Sequence, residues 1–176
     1  KCGVPVRIAH SHNNETIHDS KYALKLIMQK LFSIHATDFF ACSKEAGEYL
    51  FRNKKFHVLN NAIQSEKFIA NVAVRNEVRK ELRLGEHFTV GHVGRFHSQK
   101  NHFFLLSVFA LLMKKCPDAK LLLVGTGDLE SEIKKHVKTL SLEEDVLFLG
   151  NRKDMDRIYQ TMDIFVLPSL FEGLGI

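Results

Sequence analysis

Two glycine-bearing loops, about seventy residues apart, hold the residue types that could do chemistry. The first is Gly91-His92-Val93-Gly94-Arg95-Phe96-His97-Ser98-Gln99-Lys100-Asn101, and the second is Leu167-Pro168-Ser169-Leu170-Phe171-Glu172-Gly173-Leu174-Gly175-Ile176. Each follows an apolar run that reads as a buried strand, and each ends where a helix would begin. Loops so placed at the carboxyl edge of one parallel sheet can close on a phosphorylated ligand from both sides. Gly94 lets a ligand approach the backbone. Arg95 offers a planar fork of donors for phosphate oxygens, and Lys100 adds a compact charge just before a helix N-terminus, itself favourable to anions. A basic turn with Arg95 as a surface charge is the competing reading. The second loop brings Glu172, which could accept hydrogen bonds from sugar hydroxyls. Gly173 and Gly175 leave backbone N–H groups open to a ligand. Its competing reading is a capped turn before a helix.

Other candidates are less specific. Gly125-Thr126-Gly127-Asp128 is a third glycine turn, readable as a binding loop around Gly127 or as a tight strand-to-helix connection capped by Asp128. His87, His92, His97 and His102 recur every five residues. That is neither helical nor strand spacing, which argues against a metal site. His10 and His12 end a strand, where an imidazole can hydrogen-bond a substrate hydroxyl or a departing phosphate. A satisfied structural histidine is the alternative there.

These residues need elements to hold them. Val4–Ala9, Phe39–Cys42 and Phe56–Leu59 read as strands, with helices from Ser20 to Phe32 and from Lys44 to Phe51, the latter capped by Ser43. Tyr22, Leu24, Leu26, Ile27, Leu31 and Phe32 form the apolar stripe of the first helix. Arg75 to Arg83 reads as a charged surface helix, with Gly85 as its C-cap. Thereafter strands at Thr89–Val93, Lys120–Val124, Val146–Leu149 and Asp163–Leu167 alternate with helices at Asn101–Lys115, Leu129–Leu140 and Asp154–Gln160. This alternation predicts an α/β fold with Rossmann-like parallel sheets and flanking helices. The boundary falls near residues 62–72, giving units 1–70 and 71–176.

Composition narrows the partners. The net charge of +5 suits a phosphate-bearing small ligand or an anionic membrane face. No Lys/Arg-rich run interleaves with aromatics, so nucleic acid is disfavoured. Three widely separated cysteines give no disulfide framework or CxxC pair, which points to a reducing, cytoplasmic setting. No apolar stretch is long enough to span a bilayer.

Taken in order, Val93-Gly94-Arg95-Phe96 with Gln99-Lys100-Asn101, Leu121-Leu122-Leu123-Val124-Gly125-Thr126-Gly127, Val146-Leu147-Phe148-Leu149-Gly150 and Asp163-Ile164-Phe165-Val166-Leu167-Pro168-Ser169-Leu170-Phe171-Glu172-Gly173 resemble the nucleotide-sugar domain of group 1 (family 4) retaining glycosyltransferases of GT-B fold. Residues 1–70 resemble the later part of that family's acceptor domain, through Val6–Asn13, Ala41-Cys42-Ser43 and Val58–Ile63. Asn60-Asn61-Ala62-Ile63 departs from the usual Asn-Gly-Ile-Asp. The resemblance implies that Arg95 and Lys100 hold the donor diphosphate and steady the leaving group, without a metal or other cofactor. It implies that Glu172 is the first glutamate of the E-x7-E motif and contacts the donor sugar, with Gly173 and Gly175 around sugar and phosphate. Arg152 would lie where the base is read. His12, or less directly His10, would sit near the reacting sugar.

The motif's second glutamate would lie eight residues after Glu172, past Ile176, and the acceptor domain's opening strands would precede Lys1. The expectation is an internal segment without useful activity alone. In its parent the segment would serve polysaccharide biosynthesis from a nucleotide sugar to a saccharide or lipid-linked acceptor, with peripheral membrane association compatible with the basic balance. A non-catalytic nucleotide-sugar-binding or partner-binding module, and another GT-B enzyme such as a sugar epimerase, are the alternatives.

Overall fold

The structure, a computed structural model, describes residues 3–13 and 22–172, which form two compact units. One takes the chain up to Ile63 together with Phe171 and Glu172; the other is Gln64–Leu170.

The first unit runs β1 (Ile8–Ser11), α1 (Tyr22–His35), β2 (Asp38–Ala41), α2 (Lys44–Phe51) and β3 (His57–Val58). Its three strands are parallel in the order β1-β2-β3, with Ala9 opposite Phe39 and Ala41 opposite Val58. The Ser43 hydroxyl accepts from the Ala46 amide at 3.1 Å, so α2 starts where its cap places it. Ala9, Ala41, Cys42, Ala46 and Phe51 make a small core. The first strand lies at Ile8–Ser11 rather than Val4–Ala9, which puts His10 inside it. The stripe of α1 is not buried: Leu24, Ile27 and Leu31 are about half exposed.

The second unit runs α3 (Val72–Glu81), β4 (Thr89–Val93), α4 (His102–Met113), β5 (Lys120–Val124), α5 (Glu130–Thr139), β6 (Val146–Gly150), α6 (Met155–Ile158) and β7 (Ile164–Phe165). All four strands are parallel, in the order β6-β5-β4-β7. Residues alternate between the two faces of a strand. Val90, Leu121 and Leu123 therefore pack against Leu105, Leu106 and Phe109 of α4 and Ile133 and Val137 of α5. On the opposite face Val124 meets Val78 of α3 and Ile158 of α6. The chain moves from β4 to β6 under α4 and α5, then returns under α6 to place β7 on the far side of β4. The strand order thus reverses at β4/β7, and the carboxyl ends of those strands border a crevice of the kind that binds ligands in open α/β sheets.

The helix read as a charged surface element is only partly so. Asn71 caps α3 by accepting from the Val74 amide at 3.1 Å, but Val78 is fully buried and Arg79 is 6% exposed. Its end is set by Arg83 in left-handed backbone (φ 56), not by Gly85: the Leu84 amide reaches back to the Arg79 carbonyl.

Candidate functional site

The loop after β4 is built against the loop after β5, backbone on backbone. The Gly94 amide donates to the Val124 carbonyl at 2.9 Å, the Phe96 amide to the Thr126 carbonyl at 3.0 Å, and the Leu129 amide to the Phe96 carbonyl at 3.1 Å. This closeness decides the glycines. At Gly125 (φ +133) a Cβ would fall 2.1 Å from the Gly94 carbonyl oxygen, and at Gly127 it would fall 2.4 Å from that of Phe96. Asp128 does not cap α5, whose N-cap is Leu129 with no side-chain bond. Its carboxylate instead accepts from the Arg95 guanidinium at 3.0 Å. The capped connection expected there is corrected: the turn is tight, and its acid faces across to the neighbouring loop.

Gly94, Arg95, Gly127 and Arg152 line one open cleft of about 610 Å³ at the carboxyl ends of β4 and β5. The Arg95 side chain is 68% exposed, so its ion pair with Asp128 is a surface pair. Arg152 is held tightly. Asp154 accepts from it at both carboxylate oxygens (2.9 and 2.7 Å), and Glu81 accepts at 3.2 Å. This fork raises the Arg152 pKa and holds the Asp154 carboxyl below the usual range. Lys100 closes a short 3-10 turn, Ser98–Lys100, and its side-chain carbons lie beside Gly94, 3.1–3.2 Å from where a Cβ would stand.

The loop after β7 joins this arrangement from the other side of β4. Nδ1 of His92 lies 2.9 Å from the Val166 carbonyl oxygen, the Asn101 amide donates to the Pro168 carbonyl at 3.3 Å, and the Leu170 amide donates to the Gln99 carbonyl at 2.9 Å. The two loops singled out by sequence are therefore neighbours across the switch point as far as Leu170. Glu172 follows two residues later and is grouped with the first unit. Gly173 and Gly175 lie outside the described residues.

His10 and His12 belong to the first unit, their rings 4.2 Å apart. Partial burial, then the neighbouring His12, holds the His10 pKa below its ordinary value. Among the described residues no three His, Cys, Asp or Glu side chains gather as a metal site.

Of the four histidines spaced five apart, two meet. His92 and His102 are buried with rings 4.8 Å apart at 83°, and Phe96 packs edge-on against His102. Burial first, then His92 and Lys100, lowers the His102 pKa to about 4. A pKa below the unfolded value costs nothing above pH 6.5, where both states are neutral. Below it the unfolded chain takes up a proton that the folded one refuses. Stability should therefore drain from about pH 6.5 to pH 4, by roughly 3 kcal/mol. Urea midpoints should show the advantage of wild type over H102Q shrinking by 2–3 kcal/mol across that window (roughly); a difference independent of pH would remove His102 from the account.

Residues 74–176, more than half the chain, match the profile of the family described as "Glycosyl transferases group 1". The chain belongs to that family. Among curated relatives of this group 1 glycosyltransferase, the putative glycosyltransferase EpsF of Bacillus subtilis is 37% identical over 99% of this chain and 48% of its own length. An Escherichia coli protein, UDP-Gal:alpha-D-GlcNAc-diphosphoundecaprenol alpha-1,3-galactosyltransferase, is 32% identical over 84% of this chain and 38% of its own. Among solved structures, Anabaena HepE, crystallised with UDP and glucose, superposes with a TM-score of 0.80 at 22% identity, over 96% of this chain and 48% of that one. The group 1 chain thus spans about half the length of such relatives or less, and it shares their α/β fold of parallel sheets and flanking helices.

Sequence reasoning missed Arg79, Asn101, Asp128 and the pairing of His92 with His102. For His92 a signal existed: it sits in a run buried on both faces. For Asp128 none did, because its partner is 33 residues away.

Proposed function

We propose that the second unit binds the diphosphate of a nucleotide sugar at the carboxyl ends of β4, β5 and β7, within an enzyme that transfers the sugar, with retention, to a saccharide or lipid-linked acceptor. The observation that carries this is the cleft in which the Gly94 backbone, Arg95, Gly127 and Arg152 converge beside the switch point. In the reaction the bond between the sugar's anomeric carbon and the diphosphate oxygen breaks, a bond to the acceptor hydroxyl's oxygen forms on the same face, and that hydroxyl's proton passes to the departing diphosphate. Negative charge grows on the departing diphosphate. Arg95 and Lys100 lower the barrier by binding that charge more strongly in the transition state than in the ground state. Their cations supply the countercharge, so no metal ion is required of the protein.

Glu172 contacts the donor sugar, with Gly173 and Gly175 around sugar and phosphate. Arg152 stands on the base side of the cleft, its direction set by Asp154. His12, or less directly His10, is the histidine assigned to the reacting sugar. The names of relatives support the donor and acceptor classes: HepE was crystallised with UDP and glucose, and the E. coli relative acts on a diphosphoundecaprenol-linked sugar. By extension the role is polysaccharide assembly at the cytoplasmic face of a membrane, with peripheral association. No helix among the described residues is long and apolar enough to cross a membrane.

Incubation of the full-length protein with UDP-sugars and saccharide acceptors, followed by NMR of the product's anomeric proton, tests the reading. Retained configuration is expected; inversion or epimerised donor would sink it. Residues 1–176 alone should bind UDP weakly and transfer nothing.

A further inference from the structure

His92 has contacts that a core residue does not need. It lies on β4, one residue before the strand ends, and is fully buried. Its Nδ1 meets the Val166 carbonyl oxygen at 2.9 Å. A carbonyl can only accept, so Nδ1 carries a proton and donates it. The ring's Nε2 lies directly under the phosphate-side loop: a Cβ at Gly94 would stand 3.2 Å from it. One imidazole thus bonds the exit of β7 on one edge and supports Gly94 on the other. The edge-on ring of His102, itself wedged by Phe96, fixes its orientation.

Two further ties run parallel to it. Asn101 holds left-handed backbone (φ 54, ψ 43), and its side chain donates to the Pro168 carbonyl instead of capping α4. The Leu170 amide donates to the Gln99 carbonyl. All three join the segment 92–101 to the segment 166–170, and none contributes to the hydrophobic core.

We propose that His92 is a positioning residue: its Nδ1–H bond to Val166, seconded by Asn101, sets the separation of the two loops that grip the donor diphosphate and sugar. This rests on the nucleotide-sugar reading above. The bond spans the one place where the strand order reverses, and no continuous ladder crosses beyond Val166. Without the imidazole the Val166 carbonyl loses that bond, and past the bond from the Val166 amide to the Gly91 carbonyl (2.9 Å) the ties seen among the described residues are those of the 97–101 turn. The donor would then meet two halves of a site in variable register, which lowers affinity and turnover together.

The test uses the full-length enzyme, with UDP as the binding probe, and H92L, H92N and N101A. Asn keeps a donor near the place of Nδ1, whereas Leu removes it. Loss of one buried hydrogen bond corresponds to about a tenfold change. H92L is expected to raise the exchange rate of the Leu170 amide and the Kd for UDP by about tenfold each, with far-UV circular dichroism unchanged, while H92N stays within about threefold of wild type. If H92L does not fold, N101A reads the same coupling, with smaller rises in both quantities. H92L with wild-type exchange and wild-type UDP affinity overturns the role, as does H92N impaired as severely as H92L. Wild-type protein that binds no UDP or UDP-sugar overturns the functional reading itself, and the role with it.

Discussion

Arg95→Ala should cut sugar transfer by about 10²–10³-fold while changing folding stability by less than about 0.5 kcal/mol. The two numbers separate because they rest on different parts of the residue. Among the described residues Arg95 pairs with Asp128, and both side chains are largely exposed (68% and 73%). Pairs of that kind contribute a few tenths of a kcal/mol and are screened by salt. In the proposed transition state the same guanidinium faces growing charge on a departing diphosphate, in a cleft walled by Gly94 and Gly127. Removing one such donor costs about 2.7–4 kcal/mol of barrier. Lys100→Ala should fall in the same direction, since Lys100 packs along Gly94. Arg95→Lys should recover only part of the rate, because an ammonium cannot offer a planar fork. The measurement is kcat/KM for the donor beside a urea midpoint. Turnover within threefold of wild type for both alanine variants would take these cations out of the site.

Arg79→Met should do the opposite: destabilise the second unit by about 3–5 kcal/mol and leave the chemistry of any surviving folded protein intact. The guanidinium is buried and donates to the carbonyls of Gly85 (3.0 Å), Thr161 (2.8 Å) and His87, and to the Thr89 hydroxyl (3.2 Å). The Asp163 carboxylate stands 3.7 Å away and is anchored by the Thr89 amide and by Arg75. One arginine therefore binds the end of α3, the approach to β4 and the approach to β7 in a single knot. Methionine fills much of the volume but strands the buried Thr161 carbonyl and takes a donor from those of Gly85 and His87, the latter keeping the Thr89 hydroxyl at 3.0 Å; an unsatisfied buried group costs about 1–3 kcal/mol. A shift below 1 kcal/mol in the urea midpoint (roughly the surface-substitution range) would show that water replaces the guanidinium there.

Arg79 also marks what short-range pattern can and cannot say. A helix with Arg75, Arg79, Lys80 and Arg83 reads as solvated, because charge usually seeks water. Its burial depends on carbonyls contributed by residues 85, 87 and 161, which converge only in the folded chain. Gly125 is similar. Its sequence context allows a ligand or a tight turn, and the answer lies in the Gly94 carbonyl, which sits 2.1 Å from where a Cβ would be. By contrast β4, β5 and α2 lie where their residues put them. Apart from His92 and Lys120 the two strands are apolar or small-residue runs followed by glycine, and the helix begins at a serine that caps it. The shortened β7 was not legible: pairing with β4 covers only Ile164 and Phe165 before the chain turns toward the 97–101 turn.

The amino-acid order alone determined the alternation of strand and helix, the two loops with their arginine, lysine and glutamate, and the family to which they belong. These are local matters of apolar period, glycine and cap, and neighbours in sequence carry them. Tertiary structure decided that β7 lies beside β4, which makes loops about seventy residues apart into neighbours joined through His92 and Asn101. A short apolar strand has the same composition whichever strand it pairs with. Only the return of the chain under α6, on the face opposite α4 and α5, selects the partner.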